Sequence, residues 1–548
     1  MSERNFRVVT VLAILVAGGM AYVNTFDGEW VWDDVSSVLL HQDVQNPANF
    51  VQLFTKDQHA YVGGQGNFYR PLVSVTFMID SLLSERHGPD PMDLDPLFFH
   101  MGNFAWHALA ALALFALLSR LEAPRFVRAV VPVLFVLHPL HTEAVAYISG
   151  RADIMAGAFL FAGLMFALAP WEEKRPTLSW VISGLCFVAA LLSKESAAIY
   201  PVLLALLVIA KPLGDVGDKK QAYLRRSIPL AAALAVLGIY AGLRMTVLNF
   251  AEPGAAVHAA FGQRLFETAQ AFAFYLRMLF VPVGLHMEQS LDGTPTWTAI
   301  PGALGILACV AGAVLAWRAK KHRMALGLAW FLIAWFPISG IIPLNAPMAE
   351  HWMYVPMAGF WLAVIELLAL LPKQPQVTAL RAAAVYGLAL FFLVITVDRN
   401  QDWHDNETLY RATLAHNPNT KRIHHNLAVT YEDLLGNRPG AIRHFEKVIA
   451  LGEDAEDTLL TDEIGAHLSL GELYYESHNY QRSAYHFGQL TRLGEDARFK
   501  GEYLQGLLGL GQCFIAQGAM QQAFEVLNAA AQAEPALGPQ VQAMLAGG

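Results

Sequence analysis

Long apolar runs, separated by short charged loops, constrain this chain more than any other feature. They lie near residues 8–24, 98–120, 127–140, 153–170, 178–193, 196–210, 228–248, 298–317, 324–343, 354–371 and 382–397, about eleven in all, each near the ~20 residues that a helix needs to cross a bilayer. The chain is 55% hydrophobic and 15% charged over 548 residues, whereas a soluble domain carries about a quarter charged residues. This predicts an all-α, polytopic membrane bundle. The loops then fix its sides, because cytoplasmic loops collect Lys and Arg. Arg4 and Arg7, Arg120, Arg125 and Arg128, Lys174 and Arg175, Lys211, Lys219, Lys220, Arg225 and Arg226, Arg318, Lys320, Lys321 and Arg323, and Lys373 and Arg381 all fall in alternate loops. The first outer loop, about 25–97, has only Lys56, Arg70 and Arg86. The N-terminus is therefore expected in the cytoplasm and that loop outside, as in an integral inner-membrane protein. Arg4 and Arg7 before an apolar run also fit a signal peptide, but no small-residue cleavage site follows and further apolar runs do. Residues 263–285 are apolar enough to tempt a span. A full crossing would put Arg318, Lys320 and Lys321 outside, so an interfacial or re-entrant helix is expected there.

From about residue 405 the composition turns polar and helix-favouring. Leu427-Ala428-x-x-Tyr431 recurs as Leu470-Gly471-x-x-Tyr474 and Leu510-Gly511-x-x-Phe514. Ala441 and Phe445 answer Ala484 and Phe487, then Ala523 and Leu527, with Pro535 closing the third unit. Small residues that let paired helices approach, with aromatics filling the space between, form the tetratricopeptide (TPR) pattern. Two domains follow: a membrane domain over 1–400 and a TPR solenoid of about three repeats over 401–548, expected on the extracytoplasmic side. The repeats suit an extended polypeptide partner rather than chemistry. The net charge of −9 does not suggest nucleic acid. The three cysteines, Cys186, Cys309 and Cys513, show no disulfide framework.

Polar residues that could carry chemistry gather beside one set of span ends. Asp33 and Asp34 stand between aromatics just past the first span, where a carboxylate can take a proton from an attacking hydroxyl. Arg70, in Tyr69-Arg70-Pro71-Leu72, can hold a phosphate bidentately; Asp43 and Asp57 read as solvated loop charges. His100, Asn103 and His107 form a polar stripe on the second span, where unpaired polar groups are costly; it marks either the bundle interior or a site. His138-Pro139-Leu140-His141-Thr142-Glu143 and Gly150-Arg151-Ala152-Asp153 follow at the same depth. Two histidines and Glu143 could bind a divalent metal, but the spacing matches no zinc signature, and no metal site is predicted. Lys194-Glu195 is either a local ion pair or a ligand for an anionic phosphate. Near 350, Tyr354 fits an interface belt, whereas Glu350 and His351 do not.

These motifs resemble the transmembrane-and-tetratricopeptide O-mannosyltransferases. The resemblance rests on Tyr69-Arg70-Pro71-Leu72, Phe99-His100-x-x-Asn103, the His138 and Gly150 blocks, Lys194-Glu195 and the junction Arg399-Asn400-x-Asp402-Trp403, and it covers nearly the whole chain in order. It implies a GT-C fold and an inverting glycosyltransferase that uses a polyprenyl-phosphate sugar, with Asp33 as base and Asp34 as its orienting partner. Arg70, Arg151, Lys194 and His351 would hold the donor phosphate. His100, Asn103, His138, His141, Glu143, Asp153, Glu195, Glu350 and Tyr354 would shape the site. No cofactor is firmly implied; the lipid-linked sugar is a substrate. The chain departs from the family at Glu350-His351, where the family has Glu-Arg, and in its short repeat array. The expected reaction moves a mannose-like sugar to Ser or Thr hydroxyls of translocated proteins. The alternatives are transfer to a lipid-linked glycan or lipid A, and a non-catalytic assembly scaffold.

Overall fold

The computed structural model describes residues 1–59, 67–168, 176–210, 219–250, 260–291, 293–344, 346–452, 460–494 and 497–547. The expected basic loop residues Lys174, Arg175 and Lys211 lie outside them. Apart from one bridge between Arg86 and Leu94, all regular structure among the described residues is helical. The chain divides into two compact units, Met1–Asp405 and Asn406–Gly548.

In chain order the first unit contains α1 (Glu3–Tyr22), α2 (Pro71–Leu83), α3 (Leu97–Arg120), α4 (Arg125–Leu137), α5 (Thr142–Val145), α6 (Arg151–Leu168), α7 (Pro176–Leu191), α8 (Tyr200–Ala210) and α9 (Lys219–Arg244). It continues with α10 (Phe261–Phe280), α11 (Ala299–Arg318), α12 (His322–Trp335), α13 (Tyr354–Ala369) and α14 (Pro375–Gln401). Seven helical segments among the described residues are long and apolar enough to cross a membrane: Glu3–Thr25, Leu97–Arg120, Ile148–Leu168, Leu224–Arg244, Thr296–Arg318, His351–Ala369 and Pro375–Gln401. Four shorter apolar helices accompany them, Pro71–Leu83, Thr177–Leu191, Glu195–Ala210 and His322–Ile338. The run expected as a span over 127–140 is α4, only 13 residues long and thus about 20 Å at 1.5 Å per residue. The first of the short helices, α2, lies within the expected outer loop 25–97 and buries Val73, Phe77 and Met78 in a core shared with Phe99 of α3 and Met155 of α6.

Burial sorts the helices. The Ile148–Leu168 window is 78% buried, whereas those in Leu224–Arg244, Thr296–Arg318 and Pro375–Gln401 are 11–17% buried. A helix apolar on every side is either enclosed by protein or faces lipid; α6 is the first kind, α9, α11 and α14 the second.

Ion pairs and hydrogen bonds sort the helix ends. At one end Arg125 and Arg128 of α4 bind Glu3 of α1, and Arg323 of α12 binds Glu366 of α13. Arg381 of α14 lies over Phe126 there. The opposite, polar end collects the ends of α1, α4, α7, α12 and α14 and the starts of α2, α3, α6, α8 and α13. Helix α10 stays at this polar end. Thr268 donates to the Ser339 carbonyl (2.8 Å), Gln270 to Thr298 Oγ1 (3.0 Å) and Tyr275 to the Ala349 carbonyl (3.2 Å), and the Leu279 carbonyl lies 3.1 Å from His138 Nε2. All four partners flank helix ends on that side.

The second unit contains α15 (Asn406–His416), α16 (Lys421–Val429), α17 (Arg438–Ala450), α18 (Leu460–Glu476), α19 (Tyr480–Leu490), α20 (Lys500–Ala516), α21 (Met520–Ala533) and α22 (Gly538–Gly547). Each helix packs on the next, and α16, α18 and α20 also touch in sequence. The glycines of the repeat motif make this possible. A Cβ on Gly471 would stand 2.7 Å from the Phe487 ring, and one on Gly511 would stand 2.5 Å from Leu527.

Candidate active site at the polar end

The Asp pair sits where the chain leaves α1. Trp30 anchors this segment, its indole N–H donating to the Leu94 carbonyl (2.8 Å) and its ring meeting Phe99 edge-on at 4.9 Å. Trp32 then adopts a left-handed backbone, φ +49°, rare for a bulky residue. Its ring stacks on Tyr147 at 5.8 Å and 20°. The two carboxyls that follow differ sharply. Asp34 is fully buried and accepts from the Ser149 amide (2.8 Å), the Ser149 hydroxyl (2.7 Å) and the Val31 amide (3.2 Å). Burial pushes its carboxyl up to about 7, against the pull of the Ser149 and Val31 donors. Asp33 is only partly buried. Its carbonyl accepts from Ser36 Oγ (3.0 Å), which also lies 3.3 Å from His59 Nδ1.

The same polar end carries a series of paired ionisable groups. Arg70, at the N-terminal edge of α2, gives Nε and an Nη to Glu195 (3.3 and 2.9 Å) and lies over the Phe68 ring. Lys194 binds Asp153 at 2.6 Å, both side chains about a tenth exposed. His351 reaches Glu143 through Nδ1 (2.9 Å) and its backbone amide (2.9 Å), with Nε2 3.9 Å from Asp153. Glu350 accepts from the His286 amide (2.6 Å) and Gln289 (3.0 Å) and faces Arg399 at 3.6 Å; Arg399 also binds Asp402 at 2.7 Å. Buried charges survive in a low dielectric only when paired in this way. Arg70 also lines a small, tight crevice with His41, Leu53, Lys56, Asp57, Gln58, Pro71 and Ser74.

Other expected site residues are buried and bonded within the bundle. The Arg151 guanidinium is completely enclosed. It donates to Asp80, Thr76 (3.1 Å), the Phe99 carbonyl (2.6 Å) and Asn103 Oδ1 (2.6 Å). It thus joins α2, α3 and α6. Asn103 spends its amide on the Val145, Tyr147 and Ile148 carbonyls. His100 is buried against Gly28, where a Cβ would stand 3.2 Å from its Nε2. His107 Nδ1 meets Tyr354 OH at 2.7 Å. His138 caps the turn at Leu140, and His141 is enclosed by the rings of Phe135 and Tyr354. Among the described residues, no group of three His, Cys, Asp or Glu side chains is arranged to hold a metal ion.

The site also holds residues that no motif reading had assigned to it. Arg399 and Asp402 were visible in the junction motif but had no role; His59 and Tyr147 carried no spacing signal.

No family model matches the chain. It is 25% identical over 525 residues to Protein O-mannosyl-transferase TMTC3 of Mus musculus, covering 86% of this chain and 53% of that protein. It is 25% identical over 450 residues to Protein O-mannosyl-transferase F38B6.6 of Caenorhabditis elegans, covering 78% and 60%. The chain thus spans little more than half the length of these relatives. The crystal structure of the apo Archaeoglobus fulgidus oligosaccharyltransferase aligns over 80% of this chain and 59% of that one, with a TM-score of 0.41 and 12% identity. Over most of its length, then, this chain is similar to the protein O-mannosyl-transferases that its motifs resemble.

Proposed function

We propose that this protein is a membrane glycosyltransferase that moves a mannose-like sugar from a polyprenyl-phosphate carrier to Ser or Thr hydroxyls of proteins. One observation carries the reading: a partly exposed carboxylate, Asp33, shares the polar end of the bundle with the largely buried cations Arg70 and Lys194 and with the imidazole of His351. Asp33 takes the proton of the acceptor hydroxyl. The hydroxyl oxygen bonds to the anomeric carbon as the bond from that carbon to the phosphate oxygen breaks, and the carrier leaves as its phosphate with inversion. Arg70 and Lys194 are the phosphate ligands favoured by this arrangement, because each keeps N–H donors beyond those given to its carboxylate partner. Positioned cations act on the charge that builds on the leaving group. Arg151 instead holds α2, α3 and α6 together beneath them. The helical repeats of the second unit would bind the acceptor polypeptide on the extracytoplasmic side of an inner membrane.

The test is transfer by the full-length protein in nanodiscs, with mannosyl-phosphoryl-polyprenol and Ser/Thr peptides, read by mass spectrometry. A hexose mass on Ser or Thr in wild type, lost in Asp33→Asn with folding intact, supports the reading. Full transfer by Asp33→Asn removes the base assignment, and transfer only to a lipid acceptor removes the protein substrate.

A further inference from the structure

We infer that Trp403, together with Asn400, is a positioning residue for the loop that carries Asp33, an inference that rests on the reading of Asp33 as base. The Arg399-Asn400-x-Asp402-Trp403 motif closes α14, far in sequence from that loop, yet Asn400 bonds to the chain just before it and Trp403 reaches it through Tyr147. Trp403 is 1% exposed. Its ring stacks on Tyr147 at 5.3 Å and 26°, and Tyr147 also stacks on Trp32 at 5.8 Å and 20°. Three near-parallel rings therefore run from the end of α14 to the residue before Asp33. Asn400 Nδ2 donates to the Ala21 carbonyl (2.7 Å) and Asn24 Oδ1 (2.8 Å), and Asn24 returns a bond to the Val397 carbonyl (2.9 Å). The Glu29 amide donates to the His404 carbonyl (2.7 Å). Arg399 lies over the Trp403 ring while it binds Asp402 and Glu350.

The left-handed Trp32 gives these contacts their purpose. A bulky residue with φ near +49° persists only when its surroundings over-determine it, and such strain collects at functional sites. Asp34 is pinned separately by Ser149, so relaxation of Trp32 falls on Asp33. The ring face, not the N–H, does the holding: the Trp403 indole N–H makes no hydrogen bond among the described residues. Phenylalanine should therefore replace it where leucine cannot.

The experiment compares wild type, Trp403→Phe, Trp403→Leu and Asn400→Ala as full-length protein in nanodiscs. Trp403→Leu should lower kcat for sugar transfer by about ten-fold to a hundred-fold, the scale of a misplaced catalytic group, with donor KM within about two-fold. Trp403→Phe should restore most of kcat. Hydrogen exchange gives a readout independent of transfer: amides of residues 31–40 should exchange at least about ten-fold faster in Trp403→Leu and Asn400→Ala, while those of α6 stay unchanged. Wild-type protection of that loop in both variants overturns the inference. So does a Phe variant as defective as Leu, or a loss of protection spread evenly through the bundle. If wild type transfers no sugar, the function proposed above fails, and the exchange result still decides the clamp. If Trp403→Leu does not accumulate, Asn400→Ala and Trp403→Phe decide it.

Discussion

Two arginines from motifs of the same expected role have opposite surroundings, and Arg151→Lys separates framework from phosphate binding. Arg151 sends hydrogen bonds from three nitrogens to Asp80, Thr76, the Phe99 carbonyl and Asn103. These partners surround a planar fork, and an ammonium is a single point that cannot serve them all. At least two charge-assisted bonds are lost, at about 1.5–3 kcal/mol each, so the cost is about 3–6 kcal/mol. That matches the ~3–5 kcal/mol for breaking a buried ion pair, and it is a large share of a domain stability of about 5–15 kcal/mol. Among the described residues Arg70 makes its ion pair with Glu195, and its side chain is 14% exposed. Arg70→Lys keeps one ion pair and should cost about 1 kcal/mol or less. The assay is thermal unfolding of the purified variants in one detergent, followed by loss of the monodisperse peak, beside transfer at saturating and limiting donor. Arg151→Lys should melt far below wild type, whereas Arg70→Lys should melt near it and show a raised donor KM. An Arg151→Lys protein that melts with wild type but has lost transfer would put the guanidinium on the donor and refute the framework assignment.

Asp34→Asn should loosen the Asp loop, because an amide cannot accept from both Ser149 and Val31 without turning its NH2 toward a donor; an unchanged exchange rate for residues 31–40 would reject this. Burial raises the folded Asp34 carboxyl to about 7 from an unfolded value near ~4, so the folded chain holds this proton more tightly. Its stabilising contribution is present below about pH 4 and is lost as pH rises through about 7. Wild-type stability measured relative to Asp34→Asn should fall across that window, and parallel curves would exclude the effect. Gly157→Ala should cost about 1–3 kcal/mol by overpacking, because its Cβ would stand 2.6 Å from the Tyr354 ring that meets His107; a wild-type melt would count against it. Reporter fusions after Met92 and Leu434 should be active in one compartment and a fusion after Lys320 in the other; opposite compartments for the first two would end the shared-side reading.

The sequence alone was enough for the helical class, the helix-rich tail and the gathering of polar motifs at one end of the bundle. Run length and loop charge determine how far along a helix a residue lies, so Asp33, Arg70, Glu143, Asp153, Lys194 and His351 were all legible at one depth. Depth is all that spacing supplies. Which way a side chain faces around the helix, and what stands across from it, depends on partners far away in the chain: Asp80 for Arg151, Tyr354 for His107, Leu279 for His138. Only tertiary packing could divide Asp33 from Asp34, enclose Arg151, Asn103, His138, His141 and Tyr354 among protein partners, and bring His59, Tyr147 and Trp403 to the Asp loop. Burial decides these roles because a polar group inside a bundle must be satisfied by whatever lies nearest, and a group already satisfied has little left to offer a substrate.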